Sequence, residues 1–282
     1  MDRGTDLIAL LMMMERLRVE SNGRVRTLLG NHEYMNLLGD WRYVTKEDIA
    51  TFGGEERRRH AMSAEGWIGK AWGGSNYSVT ARIDYAKDFL SSVDSPSTIE
   101  AADPSSPFSH AAASFVHGGI LPTYPPVSSS SPVDAINRIG RSFISSVLSP
   151  KLPHGGTDQQ HQEFWGRDGP MWSRFYALEE DESTLCKTAE QACEKLGVRR
   201  MFMGHTPHFE GIVTRCGGRI VLIDTGISSA YGGVLSAVEI LYSLKPSQDG
   251  EWFEEEVVNA LYQDKNVELV RENRTISLPH HY

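Results

Sequence analysis

The sequence predicts an α/β fold, because helices and buried strands alternate along the chain. Apolar residues between positions 5 and 20 recur at helical spacing, with Thr5 as the expected N-cap. Residues 24–29 follow as a short apolar run that is typical of a buried strand. Two later apolar runs, at 114–116 and 198–203, also end beside glycine. We therefore expect buried strands that end in glycine-containing loops, with helices packed on them.

The remaining elements follow from periodicity and from residues that break it. We expect further helices around residues 55–59, at 133–148 and at 184–196, the last of them capped by Gly197. Residues 149–170 read as irregular, and the end of the chain reads as β-rich. There we expect a hairpin of residues 211–214 and 219–223, a long strand at 234–244, and edge pieces at 252–257 and 267–270.

The composition excludes several classes of function. The chain has 282 residues, 40% hydrophobic and 23% charged, with a net charge of -9. This acidic balance argues against nucleic acid as a partner, because phosphate backbones recruit basic surfaces. The eight apolar residues Leu7 to Met14 are far fewer than the ~20 needed to cross a bilayer. We expect neither a nucleic-acid nor a membrane partner.

The cysteines predict a reducing compartment. There are three, Cys186, Cys193 and Cys216, without a C-x-x-C pair. An odd number at these spacings indicates neither a disulfide framework nor a zinc finger. The default location is then the cytoplasm, with the nucleus as the alternative.

We expect a single domain at residues 1–270 and a tail at 271–282. Within it, residues 39–113 mix charged, aromatic and Ser/Pro-rich segments, and they read as an insertion or lid. Its last part, 95–109, has the composition of a loop.

The stretch Leu28-Leu29-Gly30-Asn31-His32-Glu33 is the most informative part of the sequence. It reads as a buried strand that stops at glycine and is followed by polar side chains. In open α/β sheets, ligands bind just beyond the carboxyl ends of strands. The alternative is a plain turn in which Asn31 caps a helix. The four residues alone do not separate these two interpretations.

Glycine next to a polar or charged side chain recurs at other places in the sequence, and this recurrence favours a shared site. Asp2-Arg3-Gly4 precedes the first helix, and His117-Gly118-Gly119 and Gly204-His205-Thr206 each follow a predicted strand. Imidazole nitrogen and carboxamide oxygen are ligands for Zn, Mn or Fe. Glycine lets the backbone approach such a site without a Cβ clash. A single histidine at a strand end is more often structural, but three glycine-flanked steps together predict a metal site.

These motifs, in this order, resemble the signature blocks of the calcineurin-like metallophosphoesterases. Met1-Asp2-Arg3-Gly4 resembles the end of a preceding block and is similar to the serine/threonine phosphoprotein phosphatase branch. Asp168-Gly169-Pro170, with Trp172 and Arg174, most resembles the Shewanella-like subgroup. The resemblance implies an α+β sandwich of two mixed β-sheets packed face to face, with helices outside. It also implies hydrolysis of a phosphorylated protein or a small phosphoester.

The resemblance assigns roles to individual residues. Asn31, His117 and His205 match metal ligands, and His32 matches the proton donor to the leaving group. Asp2 matches the carboxylate that holds this histidine, and Arg3 and Arg174 match phosphate-binding guanidinium groups. Members of the family use two Mn, Fe or Zn ions and an in-line attack by metal-bound hydroxide. Asp224 and Tyr231 fall in a region that contributes to the pocket rim in relatives.

The sequence departs from the family pattern at its start. The first block, Asp-x-His-Gly, does not occur, and the Gly-Asp that opens the second block has no counterpart before Asp2. From this departure we expect a fold without the first β-α-β segment, one metal ion or none, and a truncated N-terminus of an active phosphatase. The alternative is a catalytically dead phosphatase-fold module that binds a phosphorylated partner.

Overall fold

The structure, a computed structural model, describes residues 3–22, 24–86, 108, 110–151, 155–246 and 251–277. The chain divides into two compact units, which we describe separately. The first comprises residues 1–81, 116–174 and 228–232, and the second comprises 82–115, 175–227 and 233–282. The single domain expected over residues 1–270 stays a prediction.

The first unit is mainly helical in its described part, with one small sheet. Its strands β1 and β2 pair in parallel, with Thr27 opposite Tyr77. Its elements are α1 (Leu7–Glu20), β1 (Thr27–Leu28), α2 (Asn31–Leu37), α3 (Lys46–Thr51), α4 (Glu55–Met62), α5 (Trp67–Gly73), β2 (Tyr77–Ser78), a 3-10 helix (Pro125–Ser128), α6 (Pro132–Leu148) and α7 (Asp158–Trp165).

Most predicted helices of this unit are confirmed, with two corrections. The N-cap of α1 is Asp6 rather than Thr5, since the Asp6 carboxylate accepts the Ala9 N–H at 2.9 Å. Residues 149–170 are not irregular throughout, because α7 begins inside them. Thr157 and Gln160 form a reciprocal capping box at its start, a local signal that the short polar sequence obscured.

Aromatic packing builds the core of the first unit. The ring of Tyr34 on α2 lies 5.3 Å from that of Phe164 and 5.8 Å from those of Phe143 and Trp165. The Asn137 carboxamide of α6 accepts the Val79 and Thr80 N–H groups and donates to the Thr80 carbonyl. The ring contacts hold α2 against α6 and α7.

The second unit contains two larger sheets. One has the strand order β3-β4-β5-β7-β6 and the other β10-β9-β8. The elements are β3 (Thr80–Asp84), β4 (Ala112–Val116), α8 (Phe175–Leu178), α9 (Glu182–Leu196), β5 (Arg200–Met203), β6 (Val213–Arg215), β7 (Ile220–Leu222), β8 (Ser236–Pro246), β9 (Glu251–Tyr262) and β10 (Asn266–Ser277).

The two sheets share one apolar core, which confirms the predicted α/β sandwich. The five-stranded sheet is mixed, since β7 runs parallel to β5 and antiparallel to β6. The three-stranded sheet is antiparallel throughout. The shared core consists of Ala113, Phe202, Ile212, Val221, Val258, Ala260 and Val270.

The expectations for the end of the chain need correction. Residues 251–262 are the central strand of their sheet rather than an edge piece. Residues 271–277 belong to β10 and are not a tail, whereas residues 278–282 lie outside the described part. The sequence of β10 resembled a tail because it is polar. It is nevertheless a strand, because its backbone groups pair with those of β9, and composition does not reveal such pairing.

The structure also contains a disulfide bond that the sequence analysis did not predict. Cys186 on α9 and Cys216 in the β6–β7 turn are bonded, with their Cα atoms 5.2 Å apart. The expectation of no disulfide is therefore wrong. The two cysteines meet because the predicted hairpin places its turn beside the start of α9, and their separation of 30 residues carries no spacing signature.

Residues 39–113, expected as an insertion or lid, contain α3, α4, α5, β2, β3 and the start of β4. The Ser/Pro-rich loop at 95–109 lies outside the described residues except for Phe108. Within the described ranges, no helix combines the length and the apolar character needed to cross a membrane.

Candidate functional site

The site in the first unit begins at the N-terminus of α2. Gly30 is the N-cap, and its N–H donates to the Glu33 carboxylate at 2.6 Å. Asn31 is therefore the first helical residue and not the cap, whereas its role as a ligand stays a prediction. Its side chain is buried, with 2% of the residue exposed. A buried carboxamide needs polar partners, because leaving one unsatisfied costs about 1–3 kcal/mol.

Asn31 meets His117, which follows β4. The Asn31 Oδ1 atom lies 2.7 Å from His117 Nε2. A Cβ atom at Gly30 would lie 2.8 Å from the His117 ring, so this position admits only glycine while the ring stays in place. Two atoms that each lie ~2.1 Å from one ion are about 3 Å apart at a right angle. At 2.7 Å a protonated Nε2 donates a hydrogen bond to Oδ1; with Nε2 deprotonated, the same two atoms fit as neighbouring donors to a divalent ion.

The His117 loop is fastened to the turn that precedes Arg174. The Gly118 N–H donates to the Pro170 carbonyl at 2.8 Å. A Cβ atom at Gly118 would lie 2.9 Å from that carbonyl oxygen and 3.0 Å from that of Ser173, so the approach requires glycine. Arg174 follows this turn directly and is exposed. Its backbone is thus held to the loop that carries His117.

Arg3 contacts two tyrosine rings. Its guanidinium carbon is 4.3 Å from the ring centroid of Tyr43 and 4.4 Å from that of Tyr231. Both distances are within the range of cation–π attraction. The Nε atom of Arg3 is buried, and within the part of the chain that the structure describes no group accepts a hydrogen bond from it. A desolvated N–H of a cation is a favourable donor to an anionic ligand.

His32 also stacks on Tyr43. The two ring centroids are 4.8 Å apart, with an interplanar angle of 27°. His32, Tyr43, Arg3 and Tyr231 are therefore linked by successive contacts, and we call these four residues the ring stack. Tyr43 was missed by the sequence analysis, because it lies in a loop and belongs to no motif. An aromatic residue a few positions after the helix of a candidate site is too common to single out.

The segment that carries Arg3 is anchored by α3. The Thr45 hydroxyl donates to the Gly4 carbonyl at 2.8 Å, and the Leu7 N–H donates to the Asp48 carboxylate at 2.8 Å. Asp48 is itself paired with Arg58, and both side chains are almost completely buried. The start of the chain is thus tied to α3 on either side of Thr5 and Asp6.

His205 lies in the second unit, directly after β5. It is 7% exposed and has a φ angle of 66°, in the left-handed region that residues other than glycine rarely adopt. The Thr206 N–H donates to the Gly204 carbonyl at 2.8 Å, which makes His205 the centre of a tight three-residue turn. Such strain is often found at functional sites. Nearby in sequence, burial lowers the pKa of His208, and the Asp224 carboxylate only partly opposes this.

The structure brings some predicted site residues together and leaves others untested. Asn31 and His117 are in contact, and Arg3 and His32 are joined through Tyr43. His205 is described with the other unit, and Asp2 lies outside the described residues. The roles that the resemblance assigned to these residues stay predictions.

A second group of donor side chains lies in the second unit. Glu182, Cys186 and Cys216 place one donor atom each within 4.8 Å of one another, and no other trio of His, Cys, Asp or Glu does so among the residues described. The two cysteines are joined in the disulfide, so neither offers a thiolate to an ion.

Comparisons with known proteins point to phosphatases. The chain is 34% identical to an uncharacterised protein of Schizosaccharomyces pombe over 275 residues, which are 95% of this chain and 69% of that protein. It is 25% identical to Shewanella-like protein phosphatase 2 of Arabidopsis thaliana over 264 residues, 81% of this chain and 60% of that one. No model of a known protein family matches the chain.

A solved structure shares the fold. It is the crystal structure of a cold-active protein-tyrosine phosphatase of a psychrophilic Shewanella species, with a TM-score of 0.59 and 20% identity. The match covers 95% of this chain and 66% of that protein. The chain thus spans between 60% and 69% of the length of these three proteins.

Proposed function

We propose a phosphatase function for this chain, which belongs to the same family as the Schizosaccharomyces pombe protein and is homologous to Shewanella-like protein phosphatase 2. The proposed reaction is metal-dependent hydrolysis of a phosphoester on a protein. The observation that carries the proposal is the contact of Asn31 Oδ1 with His117 Nε2 at 2.7 Å, beside a glycine that makes room for it. Oxygen and nitrogen donors so close together suit a Mn, Fe or Zn ion.

In this proposal Asn31 and His117 hold the ion. When bound, a divalent ion supplies positive charge to the phosphoryl group and lowers the pKa of water. Arg3 and Arg174 bind phosphate oxygens, for which a planar guanidinium fork is better suited than a lysine ammonium. His32 gives a proton to the leaving oxygen, and Asp2 holds its ring. Imidazole is the side chain most often used for such proton transfer.

Titration calorimetry tests the metal part of the proposal. Titration calorimetry of the chelator-treated chain with Mn²⁺ should give a site that Asn31→Ala and His117→Ala weaken by about tenfold or more. His60→Asn is the matched control, because His60 is an exposed histidine of the same unit. Equal Mn²⁺ affinity in all variants would contradict the proposed ligands.

Hydrolysis is tested with an aryl phosphate and with phosphotyrosine and phosphoserine peptides in Mn²⁺. Turnover should stop on chelation and in His32→Asn, whereas His60→Asn should keep it. His32→Asn should keep the Mn²⁺ affinity, since its role is proton transfer. Turnover that survives chelation, or that His32→Asn leaves intact, would contradict the proposed mechanism. Faster turnover of one of the two peptides would show whether the substrate carries phosphotyrosine or phosphoserine.

One observation favours the alternative of a phosphate-binding module without turnover. The buried Nε of Arg3 and the stacking of its guanidinium are independent of any ion. If the chain binds phosphopeptides but does not hydrolyse them in Mn²⁺, Fe²⁺ or Zn²⁺, the binding module is the better description.

A further inference from the structure

The proposed roles of Arg3 in phosphate binding and of His32 in proton transfer do not explain why tyrosine rings contact both side chains. Tyr43 contacts both Arg3 and His32, whereas Tyr231 contacts Arg3. The guanidinium thus packs against both tyrosine rings. We propose that Tyr43 and Tyr231 are positioning residues that hold Arg3 for a phosphate group, and that Tyr43 also fixes the ring of His32. This inference rests on the proposed function, because the roles of Arg3 and His32 come from that function.

Stacking determines which atoms of Arg3 remain available. The guanidinium carbon lies 4.3 and 4.4 Å from two ring centroids, and the N–H donors of a guanidinium lie in its own plane. Phosphate is recognised by in-plane N–H groups that point at two oxygens. Rings that stack on the guanidinium therefore do not compete with phosphate for these donors.

Stacking also lowers the entropy that binding would otherwise cost. A free arginine side chain has many rotamers, and its ordering opposes binding. Arg3 is only partly exposed, and its guanidinium already contacts two rings. A preformed site of this kind binds its ligand more tightly than a mobile one.

The different contacts of the two tyrosines predict different kinetic effects. Loss of the Tyr231 ring should weaken phosphate binding and raise KM, with little change in kcat. Loss of the Tyr43 ring should raise KM and also lower kcat, because the ring of His32 loses its support. A general loss of stability would instead lower the activity of both variants to a similar extent. It would not change KM alone in one variant and both KM and kcat in the other. Each tyrosine is 38% exposed, so its replacement is compatible with folding.

The experiment compares Tyr43→Leu, Tyr231→Leu, Tyr43→Phe and Tyr231→Phe in the Mn²⁺-loaded chain. With an aryl phosphate as substrate, each leucine variant should raise KM by about threefold to tenfold, the range of a lost cation–π contact. Each phenylalanine variant should recover most of this loss, because the ring alone makes the contact. Trp67→Leu is the matched control, an aromatic residue of the same unit that is 47% exposed and outside the stack.

Equilibrium binding of inorganic phosphate, measured by calorimetry, gives a readout that does not need turnover. If the wild-type chain shows no turnover, the proposed hydrolysis fails, but weaker phosphate binding in both leucine variants would still support the stack. Wild-type KM and phosphate affinity in correctly folded leucine variants would overturn it. A wild-type chain that binds no phosphate would overturn it as well, since Arg3 would then have no phosphate to hold.

Discussion

The Asn31 Oδ1 atom lies 2.7 Å from His117 Nε2, although 86 residues separate them in the sequence. This contact exists because the N-cap of α2 is a glycine, and the His117 ring lies where a Cβ atom would be. The first prediction concerns this glycine. Gly30→Ala should displace the ring and lower Mn²⁺ affinity by about 10- to 100-fold, the usual cost of disturbing the support of a metal ligand.

Titration calorimetry and thermal unfolding check the Gly30→Ala prediction together. The control is Gly73→Ala, where the nearest atom to an added Cβ is the Ile144 side chain at 3.5 Å, an ordinary contact. The control should keep both Mn²⁺ affinity and Tm. If Gly30→Ala binds Mn²⁺ as the wild type does, the close approach of His117 has no functional importance.

The second prediction concerns the disulfide of Cys186 and Cys216. A bond that closes a loop of this length constrains the unfolded chain by about 3.5 kcal/mol on the chain-entropy estimate. A dithiol reductant should therefore lower the Tm of the chain at neutral pH. The double variant Cys186→Ser/Cys216→Ser should have this lowered Tm both with and without reductant, because it cannot form the bond. A wild-type Tm that does not respond to reductant would show that the bond is absent in solution.

The sequence predicted elements where a local pattern was enough. The amphipathic helix α9 with Gly197 at its end, the hairpin of β6 and β7, and the strands β4 and β5 all carry apolar periodicity or turn residues. Gly197 has a φ angle of 62°, the left-handed conformation for which glycine is selected at helix ends. The errors fell where tertiary contacts decide, as in β10, whose polar residues are ordered by pairing with β9.

The same distinction applies to the candidate site. The motifs around Asn31, His117 and His205 were visible because glycine and a chemically specific side chain stand next to each other. Tyr43 was not visible, because its significance comes from the guanidinium and the imidazole that contact its ring. The disulfide was missed for the same reason. Contacts between residues distant in sequence form only in the folded chain, and the local pattern of a single sequence does not predict them.

The third prediction concerns pH and the buried charges of the second unit. Arg199 and Arg200, at β5, donate to the buried carboxylate of Glu256 on β9 at 2.7–2.9 Å. Burial alone would raise the pKa of Glu256, but the hydrogen bonds and charge of the two arginines outweigh it and hold this pKa below its ordinary value of 4.5. Glu254, which accepts from Arg199 and from Tyr242, extends the network.

Because the pKa of Glu256 is lower in the folded chain, its contribution to stability is present above pH 4.5 and is lost as the pH falls through the folded-state value. Unfolding in urea should therefore show a decline below pH 4.5 that Glu256→Gln reduces. At pH 7 this variant should lose about 3–5 kcal/mol, since it leaves buried arginine charge uncompensated. The exposed Glu210→Gln serves as control and should follow the wild type. An identical pH dependence in Glu256→Gln would refute the assignment.

The last prediction concerns Arg58, which lies on the helix that the sequence predicted around residues 55–59. Its side chain is fully buried, with Nε 3.1 Å from Asp48 Oδ2 and its guanidinium near the rings of Trp41 and Phe52. Removing one partner of a buried ion pair leaves the other charge uncompensated. Arg58→Met should therefore lower the free energy of unfolding by about 3–5 kcal/mol, measured in urea.

The matched control is Arg57→Met, because Arg57 is exposed on the same helix. A surface change of this kind should stay within about 0.5 kcal/mol of the wild type. Arg58→Met should also weaken inorganic phosphate binding, because Asp48 then loses the partner that holds it against the Leu7 N–H, close to Arg3 in sequence. Equal unfolding free energies for the two variants would mean that Arg58 is solvated, and the anchoring of Arg3 by α3 would lose its basis.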